Sequence, residues 1–123
     1  MKKVGLVGGI GPESTISYYH DIVYGVQKRV GRDFFPDMSI ESIDLFKWVE
    51  LCDQKRYDEL VDFTLAPIQR LAASGADFAV LTANTAHLIF DQVQARSPIP
   101  LISIVEATAQ EAARRGYKKV GLL

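Results

Sequence analysis

Short apolar runs alternate along the chain with longer stretches whose apolar residues recur at helical spacing. Val4–Val7 is a brief apolar run closed by Gly8 and Gly9, the length and punctuation of a buried strand. Pro12 then suits a helix's first turn, where its missing N–H has no partner to lose. Ile16, Tyr19, Ile22, Val23, Val26 and Val30 follow at helical spacing, and Gly31 closes the stretch. Met38–Ile43 reads as a second strand, followed by the acidic Asp44. Leu45–Arg56 is mixed and reads at most as a short helix. Leu60, Val61, Thr64, Leu65, Ile68, Leu71 and Ala72 form a clear helical stripe, in which Pro67 predicts a kink and Gly75 a stop. Phe78–Leu81 is apolar throughout, as expected of a strand covered on both faces. His87–Gln94 reads as helix, Leu101–Ile104 as strand, and Ala107–Arg115 as helix with Gly116 behind it. Strands alternating with helices imply βαβ units and right-handed crossovers. The fold class is therefore α/β, a three-layer sandwich around a parallel sheet of about four strands.

The two ends of the chain match. Lys118-Lys119-Val120-Gly121-Leu122 repeats Lys2-Lys3-Val4-Gly5-Leu6 residue for residue. Val120–Leu123 also falls where a strand is due, after a helix and its glycine stop. The plain reading is a last edge strand that resembles the first. The favoured reading is an internal duplication. Residues 1–116 would then form one α/β domain, and residues 117–123 would open a second, similar half.

Composition narrows the partners. The chain has 123 residues, 14 basic and 15 acidic, with 48% apolar and 24% charged residues. That balance belongs to a folded domain, and a single one at this length. A net charge of −1 leaves no basic footprint, so neither nucleic acid nor a membrane surface has compositional support as a partner. The single cysteine, Cys52, excludes an intrachain disulfide framework and a cysteine-cluster metal site. It fits a reducing compartment. The apolar run after Met1-Lys2-Lys3 is too short for a signal-peptide core, and nothing approaches the roughly 20 apolar residues that span a bilayer. The expectation is a cytoplasmic protein.

In an open parallel sheet, ligands bind beyond the carboxyl ends of the strands. Four segments fall there: the Gly8–Thr15 turn, Asp44, the run Thr82–His87, and Ser103–Glu106. The glycines of the first let backbone approach a ligand, and the helix start behind them offers free N–H groups to an anion. A dinucleotide fits poorly. Ser14 stands where the third glycine of the fingerprint is needed, and Asp44 lies well beyond the usual spacing of about 20 residues. A small carboxylate fits better. Asn84 and Thr85 carry amide and hydroxyl groups suited to a carboxylate and an amino group. Equally, Asn-Thr is a good helix cap. His87 is either a titrating group or a local hydrogen-bond partner. His20 reads as a surface residue, Cys52 as an inert thiol, and Phe46 and Trp48 as core. No His, Cys, Asp and Glu set has metal-ligand spacing.

Together these segments resemble the aspartate/glutamate racemase family. The resemblance is carried by Val4-Gly5-Leu6-Val7-Gly8-Gly9, by Gly11-Pro12-Glu13-Ser14-Thr15 running into Tyr18-Tyr19, and by Ser42-Ile43-Asp44. Gly75-Ala76-Asp77, Asn84-Thr85-Ala86-His87 and the Pro100–Ile104 strand complete it. It implies a cofactor-independent racemase of two similar α/β halves, with an acidic amino acid between them and one acid/base residue from each half. Gly9, Ile10, Gly11, Ser14, Asn84, Thr85 and His87 would then bind substrate. The residue before Asn-Thr is usually a catalytic cysteine, sometimes threonine. In this chain it is Ala83, whose methyl group moves no proton. Thr82 would point to the opposite face of the strand. The chain alone is therefore expected to be inactive. An amino-acid-binding or sensor protein, and a maleate isomerase or hydantoin racemase on the same scaffold, are the competing readings. The aromatic surface of the first helix (Tyr18, Tyr19, Tyr24) and the apolar last strand predict a homodimer.

Overall fold

The apolar runs become the middle layer of the molecule. The computed structural model describes residues 1–121. Strands β1 (Val4–Gly8), β2 (Met38–Ser42), β3 (Phe78–Leu81) and β4 (Leu101–Ile102) form one sheet in the order β2-β1-β3-β4. Every pairing is parallel, with Val4 beside both Met38 and Phe78, and Val80 beside Ile102. The central β1 is buried along its whole length.

Alternation along the strands sends successive side chains to two apolar clusters. Val7, Ala79 and Leu81 face a large one, shared with α2 (Leu45–Asp53), α3 (Tyr57–Ala73) and α4 (Phe90–Arg96) through Trp48, Leu60, Leu65, Ile68, Leu71 and Val93. Val4, Leu6 and Val80 face a smaller one, completed by Tyr18 and Ile22 of α1 (Pro12–Val30) and Ile104 of α5 (Ile104–Arg114). Helices on both faces of a parallel sheet make the expected three-layer α/β sandwich.

The two outer layers are unequal. Only Val23 of α1 is buried, and no residue of α5 is. Ile16, Tyr19 and Val30, expected on the inner stripe of α1, are exposed, because little of the molecule covers that helix. Phe46, expected in the core, is 82% exposed, whereas Trp48 is 3% exposed. A helix beginning at Leu45 turns Trp48 and Leu51 inward and leaves Phe46 on the outer side. Residues 45–53 are thus an amphipathic helix that also carries Cys52.

Several element boundaries differ from the sequence reading. The fourth strand stops at Ile102, because Ser103 caps α5 by accepting from the Glu106 N–H at 3.2 Å. That helix accordingly begins at Ile104 rather than Ala107. The run from His87 is not one helix: a 3-10 turn spans Thr85–Ile89 before α4 begins. Pro67 is buried within α3, which continues through it as a single helix. Of the strand expected at Val120–Leu123, Val120 and Gly121 have no strand structure, and Leu122 and Leu123 lie outside the described residues. No helix among the described residues is long and apolar enough to cross a membrane.

Candidate functional site

Because β1 and β3 are neighbours, the turns that follow them meet at the carboxyl edge of the sheet. The turn after β1 depends on its glycines. Gly9 has φ +88°, and a Cβ there would strike the carbonyl oxygen of Ile43. At Gly8 a Cβ would sit 2.5 Å from Cγ2 of Thr15. Only glycine lets this backbone pass so close to its neighbours.

Hydroxyl groups then lock the two turns together. Thr15 Oγ1 accepts from the Gly9 N–H at 3.1 Å and lies 3.0 Å from Thr82 Oγ1. Ser14 Oγ lies 2.7 Å from the Thr82 carbonyl and 2.8 Å from that of Gly11, so its proton has two acceptors within reach. Thr82 Oγ1 donates to the Val7 carbonyl at 3.1 Å, and Thr82 is 1% exposed. Thr82 therefore faces α1, as the alternation predicts, whereas Ala83 packs against the large cluster on the other face. Position 83 and the buried Thr82 hydroxyl are on opposite sides of the strand.

His87 is equally occupied. Its Nε2 accepts from the Ile104 N–H at 3.1 Å, which leaves Nδ1 as the protonated nitrogen, donating to the Ala83 carbonyl at 3.1 Å. The ring also stacks on Phe90, with centroids 5.0 Å apart and planes 3° from parallel. His87 thus ties the loop after β3 to the first residue of α5.

Other groups at the edge are free. The N-cap of α1 is Gly11, which has no side chain to cap with, so the first-turn N–H groups face outward unserved. Asn84 and Thr85 are exposed, and Asn84 makes no capping bond despite its place before the 3-10 turn. Asp44 by contrast is spent as the cap of α2, its Oδ1 accepting from Phe46 N–H at 2.9 Å. His20 is a surface residue beside Asp21. The seven expected binding residues therefore divide. Gly9, Ser14 and His87 build the edge, Ile10 is buried in the large cluster at 4% exposed, Gly11 is half-buried, and Asn84 and Thr85 are exposed.

The sequence reading missed one part of the edge. A cavity of about 480 Å³ lies between α2 and the 3-10 turn, bordered by Trp48 and Cys52 and opening beside Asn84 and Thr85. Its signal was the helical period of residues 45–53, which brings Trp48, Val49 and Cys52 to one side.

Known proteins share this fold. Residues 7–123 match the family model described as Asp/Glu/hydantoin racemase. A broad specificity amino-acid racemase, RacX of Bacillus subtilis, is 28% identical over 122 residues, covering 97% of this chain and 53% of that protein. The crystal structure of a Yersinia pestis protein assigned to the Asp/Glu racemases superposes with a TM-score of 0.89 at 29% identity, over 94% of this chain and 50% of that one. An aspartate racemase homologue from Pyrococcus horikoshii gives 0.82 at 32% identity, again over 94% and 50%. The chain thus spans about half the length of these relatives.

Proposed function

We propose that this chain, which belongs to the Asp/Glu/hydantoin racemase family, forms the substrate-holding half of a cofactor-independent amino-acid racemase whose proton-transfer residue at position 83 has been lost. The observation that carries this reading is the pairing of unserved donors with a methyl group. The uncapped start of α1 lies at the same sheet edge as the loop in which Asn84 and Thr85 follow Ala83. The loop at Ile10 and Gly11 and the first-turn N–H groups of α1 behind it would hold the α-carboxylate, and the Asn84 amide and Thr85 hydroxyl would fix the amino group. These uncharged donors would also stabilise the carboxylate as the α-carbon loses its proton. Gly9, Ser14 and His87 would keep that backbone in place. The family's description makes aspartate and glutamate the first candidate substrates. Hydantoin racemase and maleate isomerase chemistry on this scaffold would use the same edge.

Racemisation removes the α-proton on one face and returns one on the other, so it needs a base on each side. Ala83 offers none. The second base would come from a similar second half, a reading supported by the match of residues 118–122 to residues 2–6 and by the half-length coverage of the relatives. Ala83 also favours an amino-acid-binding or sensor role over turnover. Proton NMR in D2O tests both. The 123-residue chain should show no α-proton exchange with L-aspartate or L-glutamate. In the parent protein, Ala83→Cys should start exchange if the site is a racemase lacking only its base. Exchange by the unsubstituted chain would overturn the reading, and no gain in the cysteine variant would favour a binder. The exposed apolar side of β4 and α5 supports a homodimer.

A further inference from the structure

The cavity beside Asn84 and Thr85 has a composition that an acidic side chain does not suit. Trp48 and Val49 of α2 and Leu88 of the 3-10 turn supply apolar wall, with the Cys52 thiol between them. Among the described residues, no lysine or arginine borders it, and its one charged neighbour, Asp53, is negative. Lys47, next to Trp48 in sequence, has its ammonium committed to Glu50 at 2.9 Å. A substrate carboxylate placed there would lose water without gaining a cation, and would face Asp53.

Trp48 borders the cavity, while its N–H lies in the interior. Trp48 is 3% exposed, and its indole Nε1–H is buried without a hydrogen-bond partner among the described residues. Buried indole N–H groups normally find an acceptor, and an unmade bond of this kind has a cost. The cavity also sits on the face of the sheet to which Ala83 turns, since Ala83 packs against the cluster containing Trp48. An amino acid held by Asn84 and Thr85, which border the cavity, would have its side chain beside this apolar wall. At about 480 Å³ the space exceeds what a carboxymethyl group needs and falls within the range of small-molecule pockets.

We propose that this cavity receives the substrate's side chain and selects an uncharged, largely apolar one, of the leucine, methionine or phenylalanine class, over the carboxylates of aspartate and glutamate. The proposal rests on the amino-acid reading of the neighbouring edge and sets its substrate class. Trp48 is the only tryptophan in the chain, so its indole N–H gives a single resonance in a ¹⁵N-labelled sample. Titrating the 123-residue chain with L-methionine, L-leucine and L-phenylalanine should move that resonance saturably. The midpoints should lie at least tenfold below any for L-aspartate or L-glutamate. Leu88 is 59% exposed, so Leu88→Arg leaves the core alone and adds the missing cation. That variant should reverse the order of preference. An unsubstituted chain that takes glutamate as readily as methionine, or a Leu88→Arg chain with unchanged preference, overturns the proposal. Amino-acid shifts at the Gly11 and Asn84 amides with none at the indole overturn it too, while sparing the function proposed above. Shifts nowhere overturn both.

Discussion

At the scale of single residues, the turn after β1 shows how little freedom the site leaves. Gly9 needs its positive φ, and it also needs to lack a Cβ, because the Ile43 carbonyl occupies that space. Gly9→Ala should therefore lower unfolding stability by about 2 kcal/mol or more, combining left-handed strain with a forced backbone shift. Gly25 is the control. It lies within α1 with nothing within 4 Å of a built Cβ. Gly25→Ala should raise stability by about 0.5–1 kcal/mol, since alanine is the better helix former. Urea denaturation of the two variants would check both signs. The glycines were legible in the sequence as turn residues. The division of labour behind them was not. Ser14 and His87 have the right chemistry for ligands, yet the fold consumes their polar atoms internally. Which hydroxyl or ring is spent on a neighbouring carbonyl depends on strand order, and residue identity does not encode that locally.

At the scale of elements, the four strands expected between Val4 and Ile104 formed, the one expected from Val120 is absent at Val120 and Gly121, and the other misreadings lie at ends. Ser103-Ile104-Val105-Glu106 has the spacing of a capping box, and Ser103 does accept from Glu106 N–H. That signal would have ended β4 early and started α5 at Ile104. Apolar periodicity alone could not, because Ile102 and Ile104 read equally well as strand. The 3-10 turn after Asn84 has no comparable signal. It is held from outside, by the His87 bridge to Ile104. His87→Ala should leave the Ile104 N–H and Ala83 carbonyl unpaired and cost about 1–3 kcal/mol. Amide exchange at Ile104 should quicken more than exchange at Val80 in the sheet. Charge acts on α5 as well. Hydrogen bonds from Arg114 and then Arg115 hold the Glu111 carboxyl below its ordinary 4.5. A depressed carboxylate stabilises the fold fully at neutral pH and loses that contribution as pH falls below 4.5 through the lowered value. The last turn of α5 should therefore fray on acidification, as amide chemical shifts would report. Glu111→Gln should flatten that dependence. The groups are exposed, so added salt should weaken it too.

At the scale of the whole molecule, the unequal outer layers predict association. The α2–α3–α4 face is closed over a continuous core, whereas the opposite face stays open. A groove runs between α1, β4 and α5, floored by Val80 and Ile102 and edged by Val105, Tyr117 and Val120. Ile102, Val105, Tyr117 and Val120 are each more than two-fifths exposed, at 44%, 52%, 58% and 71%. Large apolar side chains gathered on one face favour association. Among the described residues, the short β4 adds an unpaired outer edge to the same side. For a single kind of chain a two-fold dimer is the commonest solution, because one self-complementary patch suffices. In the full-length protein the proposed second half would compete for this face. The 123-residue chain should therefore elute in light scattering at twice its 13.7 kDa mass. Val105→Glu should return it to monomer. That position is solvent-facing on α5, so the fold itself should survive, with an unchanged far-UV spectrum. A clean monomer at high concentration would show instead that so open a face is tolerated alone. The equal loss of dimer in a Phe46→Glu chain, altered on the far side of the sheet, would place the interface on α2 rather than α5.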